Sequence, residues 1–547
     1  MENIKLKYKG KEYTYTRGIT LSEISKDFKD DYEDTIIIGE FNGRLCELNY
    51  VVNIDGTINF YDRTSQDGAR VYESGLVFVL IEAFKNALKY EIEIKYSMDK
   101  AIYVQTKKKI TKESLELVNN EMNELIKKDL PIKKNLINRI DAINYYKSIG
   151  DLDKLNVLKY SINTNVNLYR LDDTYDYFFS YLPISTGIIE DFKLIYLSEH
   201  DFVLAYSNVY YDDKITESIN KSKLFGEFKK YDNWCKMSKI NNVSELNRKV
   251  TKGNISDLIF LSESNRNRKL LNISEEIFNN KNIKIVLMSG PSSSGKTTTS
   301  KKLKLFLSGN GVNPISLSID DYFLDRDKTP KLEDGSYDFE SIRAINVPRF
   351  NKDLKDLLDG KEIYPLRYDF ITGKSEVSNE SMKLGENDVL IIEGLHALNE
   401  ELTSSIDKKN KYKIFVCPLT VMSLDNHNVI RATDIRLLRR IVRDNRTRGY
   451  NASQTIDSWE KVKKGEELYV YKYSDEANVI FNTSLLYEIG VIKVYAEPLL
   501  FSLEENDPNY KEAVRLLNLL KNVLPVPTDY IPADSILREF IGGSYFE

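Results

Sequence analysis

Eight residues, Gly290-Pro291-Ser292-Ser293-Ser294-Gly295-Lys296-Thr297, constrain the fold of this 547-residue chain more than any other feature. They form a complete G-x4-G-K-[ST] loop. The flanks have the form that such a loop requires: residues 283–288 read as a buried strand, and residues 297–308 as a helix stopped by Gly309-Asn310-Gly311. Strand, glycine-rich loop and helix N-terminus together make an anion cradle, because loop N–H groups and the helix dipole converge on phosphate oxygens. A nucleoside triphosphate and Mg²⁺ are therefore expected at the loop. Gly290, Ser292, Ser293, Ser294, Gly295, Lys296, Thr297 and Thr298 are expected to surround the phosphates. Lys296 supplies a charge for the β- and γ-phosphates, and Thr297 offers its hydroxyl to the metal. A second Gly-Lys-Ser, Gly373-Lys374-Ser375, is a decoy, since Tyr368 stands where the first glycine would be needed.

Short apolar strands alternate with helices after residue 283, the pattern of a parallel α/β sheet. The strand at 315–319 ends in Asp320-Asp321-Tyr322-Phe323, so Asp320 lies at the sheet edge where α/β proteins bind ligands. A carboxylate there can take a proton from an attacking hydroxyl or hold the metal through water. Asp321 reads equally as a solvated or turn-capping residue. The strand at 389–392 ends in Glu393, a Walker B pattern that reaches the metal. His396, three residues later, reads equally as a capping or packing residue and as one that acts. Seven arginines fall within residues 431–448, offset locally only by Asp434 and Asp444. Such a run is a solvated face, a nucleic-acid patch, or a helix closing on the transferring phosphoryl group. The last is preferred, with Arg436, Arg439 and Arg443 reaching the site.

The first 65 residues read as a β-grasp unit: two alternating strands, a capping box at Thr20-Leu21-Ser22-Glu23, and a hairpin at Asp55-Gly56. Residues 66–234 read as an α+β unit, 235–282 as polar helical connectors, 283–502 as the P-loop domain and 503–547 as a helix and tail. Three cysteines and three histidines lie too far apart in sequence for a disulfide framework or a zinc site. The net charge of −5 opposes polyanion binding, and no apolar run approaches a membrane span. The opening residues lack the apolar segment of a secretion signal, so a soluble cytoplasmic protein is expected. A homo-oligomer stays open.

The P-loop, Asp320-Asp321-Tyr322-Phe323, Ile391-Ile392-Glu393-Gly394 and the Asp434–Arg440 run with Arg443-Asp444 and Arg448-Gly449 together resemble the uridine kinase/phosphoribulokinase family. The resemblance implies that Asp320 is the base for a sugar 5′-hydroxyl. It implies that Asp338-Phe339-Glu340 matches the segment holding the ribose hydroxyls, with Glu340 in place of the family's Asp. It also implies that Tyr368 and Phe370, in Pro365-Leu366-Arg367-Tyr368-Asp369-Phe370, contact the base. Gly373 stands where uridine-cytidine kinases place a base-contacting His. Residues 1–65, through Gly18–Ile24 and Phe41-Asn42-Gly43-Arg44-Leu45, resemble a TGS domain. Residues 66–234 resemble the second domain of threonyl-tRNA synthetase, with Glu73 and Val77 in place of its HxxxH pair. The whole looks like the bacterial fusion nucleoside kinases. The expected fold class is therefore α/β, a P-loop parallel-sheet domain behind a β-grasp and an α+β domain. The expected activity is phosphoryl transfer from ATP to a small-molecule nucleoside. The alternatives are a kinase of another small alcohol and a nucleotide-gated RNA-binding regulator. Against the regulator, Asn351-Lys352-Asp353 continues into Leu354 and forms no guanine-reading motif, and residues 1–65 carry nine Lys/Arg against twelve Asp/Glu.

Overall fold

Asn42 and Gly43 take positive φ values of 49° and 74°, and so join strands Ile36–Phe41 and Arg44–Cys46 through a two-residue turn. The computed structural model describes residues 2–98, 101–161, 163–207, 222–332, 335–369, 372–404 and 406–547. The hairpin belongs to a five-stranded sheet in the order Lys11–Thr16, Asn3–Tyr8, Gly56–Asp62, Ile36–Phe41, Arg44–Cys46. Only Asn3–Tyr8 and Gly56–Asp62 run parallel in it. Helix Leu21–Ser25 begins with the expected capping box: Thr20 Oγ1 accepts from the Glu23 N–H, and the Glu23 carboxylate accepts from the Thr20 N–H at 2.9 Å. This is a β-grasp order. The hairpin expected at Asp55-Gly56 does not form. Val51–Val52 pairs with Ile19–Thr20 instead, and Asp55 accepts the Lys5 N–H at 2.8 Å, so the turn carries the chain from one sheet to the other.

Helix Gln66–Leu88 buries Leu76, Leu80, Ala83 and Phe84 against a four-stranded antiparallel sheet. The sheet order is Phe192–Ser198, Asp201–Tyr206, Ala101–Thr106, Ile92–Met98. A second, three-stranded sheet (Lys133–Asn138, Asn165–Leu171, Thr174–Asp176) carries helices Arg139–Ile149 and Leu152–Lys159. Residues 235–282 are more than connectors. Helices Lys223–Ser238, Val243–Thr251 and Ile255–Asn279 bury Phe228, Leu246, Leu258, Ile259, Leu270 and Ile277 in one continuous core with Val286, Ile414 and Leu437. Apolar residues at helical spacing supply the inward face, so this stretch is part of the P-loop domain's wall.

That domain is a five-stranded, fully parallel sheet: Asn313–Ser318, Asp388–Glu393, Ile285–Ser289, Lys411–Cys417, Val479–Asn482. The strand bearing the P-loop is central and entirely buried. Two-sided burial explains its unbroken apolar sequence. The segment after residue 525, which has little sequence pattern, buries Ile531, Ile536, Leu537 and Phe540 in the same core. Among the described residues no helix is long and apolar enough to cross a membrane.

Lys154 is 2 % exposed, forms an ion pair with Asp176, and lies 3.4 Å from Asp425. His427 Nδ1 adds a third contact, 2.6 Å from Asp176. Burial pushes the Asp176 carboxyl up, but Lys154 and His427 outweigh it and hold the group at about 2. Lys154→Met leaves two buried carboxylates facing each other. It should lower stability by about 3–5 kcal/mol, read as an earlier first transition in urea unfolding.

Candidate functional site

Gly290 and Gly295 bound the loop, and both positions exclude a side chain. A Cβ on Gly290 would sit 1.9 Å from the Val416 carbonyl oxygen, and Gly295 has φ 86°. Helix Lys296–Gly309 follows directly. Lys296 Nζ donates to the carbonyls of Gly290 (2.7 Å) and Pro291 (3.0 Å). Burial lowers its pKa, against the attraction of Asp320, Glu393 and Glu466. The hydroxyls of Ser293 and Ser294 are buried without a hydrogen-bond partner, a vacancy that phosphate oxygens fit.

The loop is held from behind by side chains distant in sequence. Helix Ala432–Arg448 crosses beneath it. Arg436 Nε donates to the Ser292 carbonyl at 3.0 Å, packs on Trp459 and forms an ion pair with Glu466. Glu466 in turn accepts the Ser292 N–H at 2.5 Å. Arg439 Nη1 donates to the Ser293 carbonyl at 3.2 Å, and its guanidinium forms a bidentate pair with Glu488. Thr483 Oγ1 donates to the Ser294 carbonyl at 2.7 Å. Arg436 and Arg439 are 1 % and 0 % exposed. This corrects the sequence reading of both residues: their guanidinium groups are committed to buried pairs under the loop and do not face the phosphates.

The arginines that do face the site are others of the same run. Arg440 Nη1 donates to Ser292 Oγ at 2.9 Å, Arg443 pairs with the fully buried Asp444 at 2.7 Å, and Arg448 lies 3.6 Å from the same carboxylate. Burial lowers the pKa of Arg440 and Arg448, and the neighbouring Arg443 adds to it. One carboxylate thus holds three crowded guanidiniums, an arrangement that favours a further anion. The count of seven arginines signalled this cluster. Nothing in the sequence separated the buttressing arginines from those facing the site, because the partners Glu466 and Glu488 carry no local motif.

Asp320 stands where the second strand ends, open to the cleft. Surrounding protein mass pushes its carboxyl up, while Lys296 and Arg448 pull it down. Asp321 turns instead to the Tyr368 backbone. Glu393 ends the neighbouring strand, 3.5 Å from Thr297 Oγ1. Burial pushes it to about 7 even though Lys296 opposes the shift, and its Oε2 is buried without a partner. A hydroxyl and an unsatisfied carboxylate oxygen at the lip of a phosphate cradle are a donor set suited to a hard divalent cation. His396 is buried beside the Tyr469 ring, and burial lowers its pKa to about 4, so it is neutral near pH 7 and packs.

On the acceptor side, Glu340 lies against helix Ala452–Tyr469 at Gly465, where a Cβ would come within 2.6 Å of it. Burial and the facing Glu466 push Glu340 to about 7. Asp338 is corrected: its carboxylate accepts the N–H groups of Glu340 (3.2 Å) and Ser341 (3.1 Å), which makes it a turn-former that presents Glu340. The Tyr368 ring is buried against Phe323, with centroids 5.6 Å apart. Phe370 lies outside the described residues. At Gly373 (φ 71°) the Arg326 side chain fills the space, 2.8 Å from where a Cβ would stand. Glu73, in place of the first expected histidine, accepts from Tyr206 Oη at 2.7 Å and pairs with Arg431 at 3.0 Å. It therefore fastens the α+β unit to the N-cap residue of the arginine helix.

Arg439→Ala strips the partner from buried Glu488 and should cost about 3–5 kcal/mol of stability. Arg440→Ala removes one of three guanidiniums from buried Asp444 (3.2 Å), which keeps Arg443 and Arg448, and should cost less than about 1 kcal/mol. Thermal unfolding of the two variants checks the distinction.

Residues 285–486 match the model of the phosphoribulokinase/uridine kinase family. The sequence is also similar to threonine–tRNA ligases. That of Caldanaerobacter subterraneus subsp. tengcongensis is 26% identical over 191 residues, covering 34% of this chain and 30% of the ligase. That of Aquifex aeolicus is 28% identical over 251 residues, covering 42% of this chain and 38% of the ligase. The chain thus spans about a third of the length of these relatives. A solved structure described as a possible uridine kinase from Bacillus stearothermophilus is 18% identical, with a TM-score of 0.26, and covers 37% of this chain and 89% of its own. With its glycine-rich loop, two strand-end carboxylates and arginine helix in one parallel sheet, residues 285–486 are a phosphoribulokinase/uridine kinase family domain, carried on a chain whose N-terminal region is similar to threonine–tRNA ligases.

Proposed function

We propose that this domain transfers the γ-phosphoryl group of ATP to the 5′-hydroxyl of a ribonucleoside. The observation that supports this reading is the convergence of Lys296, at the start of the P-loop helix, with Asp320 and Glu393, just past and at the ends of two adjacent strands. In this reading Lys296 leaves the loop carbonyls for the β- and γ-phosphates. Asp320, open to the cleft just past the end of its strand, accepts the proton of the attacking hydroxyl. Arg440, Arg443 and Arg448 face the charge that spreads over the transferring group. Thr297 and Glu393 would hold Mg²⁺, which when bound neutralises phosphate charge. Glu340 accepts the ribose hydroxyls. The base is left to apolar contact near Tyr368 and to the surface at Gly373 and Arg326. A kinase of another small alcohol shares every part of this reading except Glu340. No observation on residues 1–230 favours a nucleotide-gated regulator.

Lys296→Ala should leave the fold intact and abolish transfer. Asp320→Asn should retain ATP binding and lose roughly 10²- to 10⁴-fold in turnover, the usual range for a general base. ADP release with uridine, cytidine, inosine, adenosine and deoxyuridine measures both variants. Unchanged turnover in Asp320→Asn refutes the assigned base, and no release with any nucleoside refutes the substrate class.

Glu340 should make the ribose govern selection. Removing the 2′-hydroxyl leaves a half-buried carboxylate short of a partner, worth on the order of 2 kcal/mol, ~30-fold in kcat/KM. Because its pKa is raised to about 7, the charged form is present above that pH and lost below it. The preference for uridine over deoxyuridine should therefore grow as pH rises through about 7 and vanish in Glu340→Gln. A ratio that is flat with pH in the parent protein contradicts the role.

A further inference from the structure

Residues 534–547 lie outside the stretch matching the kinase family, yet they wrap the entrance of the P-loop helix. Ile536, Leu537 and Phe540 are buried in the core, and Ile536 packs on Gly295, its Cγ2 2.7 Å from where a Cβ would be. Lys302 pairs with Asp534 at 2.7 Å, and Lys301 donates to the Phe546 carbonyl at 2.8 Å. From this anchored backbone one side chain reaches into the cradle. Glu539 Oε2 accepts the Thr298 N–H at 3.2 Å and the Thr298 hydroxyl at 2.6 Å. These donors belong to the first turn of the helix, where an N–H has no intrahelical acceptor and a phosphate oxygen is normally taken. A carboxylate and a phosphate cannot share them, because like charges at contact distance repel. The same segment also grips the arginine helix. Arg446 donates to the carbonyls of Glu539 (3.0 Å) and Phe540 (3.2 Å) and pairs with Glu547.

We propose that Glu539 is a resident occupant of the phosphate site and sets the chain's nucleotide affinity, because nucleotide binds only after this carboxylate turns out of the cradle. The proposal rests on the nucleotide-binding reading given above. The apolar anchors keep the backbone in place, so the displacement is the rotation of a single side chain. The apparent Kd is then the intrinsic Kd divided by the fraction of time the site stands open, so a site filled about nine-tenths of the time weakens binding about tenfold.

The test is calorimetric titration of the full chain with ATP, ADP and inorganic pyrophosphate, without acceptor, in the parent protein, Glu539→Ala and Glu539→Gln. The expected result is binding about tenfold tighter in Glu539→Ala and a change in the same direction in Glu539→Gln, for all three ligands. Glu539→Gln preserves side-chain size and decides the matter if Glu539→Ala does not fold. Equal or weaker binding in the folded variants overturns the proposal, since Glu539 then leaves without cost or helps to hold the nucleotide. Absence of ATP binding in the parent and in both variants overturns the nucleotide reading itself, and this proposal with it. ATP binding in the parent that is unchanged in the variants overturns this proposal alone.

Discussion

Two buried ion pairs, Arg436–Glu466 and Arg439–Glu488, hold the phosphate loop in shape. A glycine-rich loop pays the largest conformational entropy of any backbone on ordering, and its carbonyls must be satisfied without using the N–H groups meant for a ligand. The two guanidiniums, donors only, supply hydrogen bonds to the Ser292 and Ser293 carbonyls. Each is in turn neutralised by a glutamate from a later helix, since an unpaired charge at that depth is not tolerated. The loop, the arginine helix and helices Ala452–Tyr469 and Glu488–Phe501 are thus one electrostatic unit.

The same arginine helix joins the P-loop domain to the rest of the chain. Arg431 at its start pairs with Glu73, and Asp434 one turn later pairs with Arg515 at 2.6 Å. Arg515 shares Glu512 with Arg70 of the α+β unit, and these guanidiniums hold the Glu512 carboxyl well below the usual carboxylate range despite its burial. Arg446 near the other end is bound to the C-terminal segment. A helix pinned at its start by one unit and near its end by another, with the site-facing Arg440, Arg443 and Arg448 between or beside them, gives the N-terminal region a direct mechanical contact with the phosphate site. Where the resemblance places a metal-binding pair, this chain has a carboxylate used for docking.

The sequence by itself determined the phosphate loop, because a G-x4-G-K-[ST] octapeptide between an apolar run and a helix has one physically sensible conformation. It also determined the strand-end acids Asp320 and Glu393, since apolar runs of strand length followed by an acid place that acid at the sheet edge. It determined the Thr20/Glu23 cap, whose partners lie three residues apart. Tertiary structure decided everything whose partner is remote. It separated Arg436 and Arg439 from Arg440 and Arg448, although all four share one run, because the separating contacts are Glu466 and Glu488. It made Asp338 a turn-former and Glu340 a half-buried acid facing Glu466, and it turned Asp55-Gly56 from a hairpin into a crossing between sheets. It brought Glu539 to Thr298 across 241 residues of sequence. The physical reason is the same throughout: local geometry is fixed by neighbours on the chain, whereas burial, pairing and charge are fixed by whichever groups the finished core brings within a few ångströms.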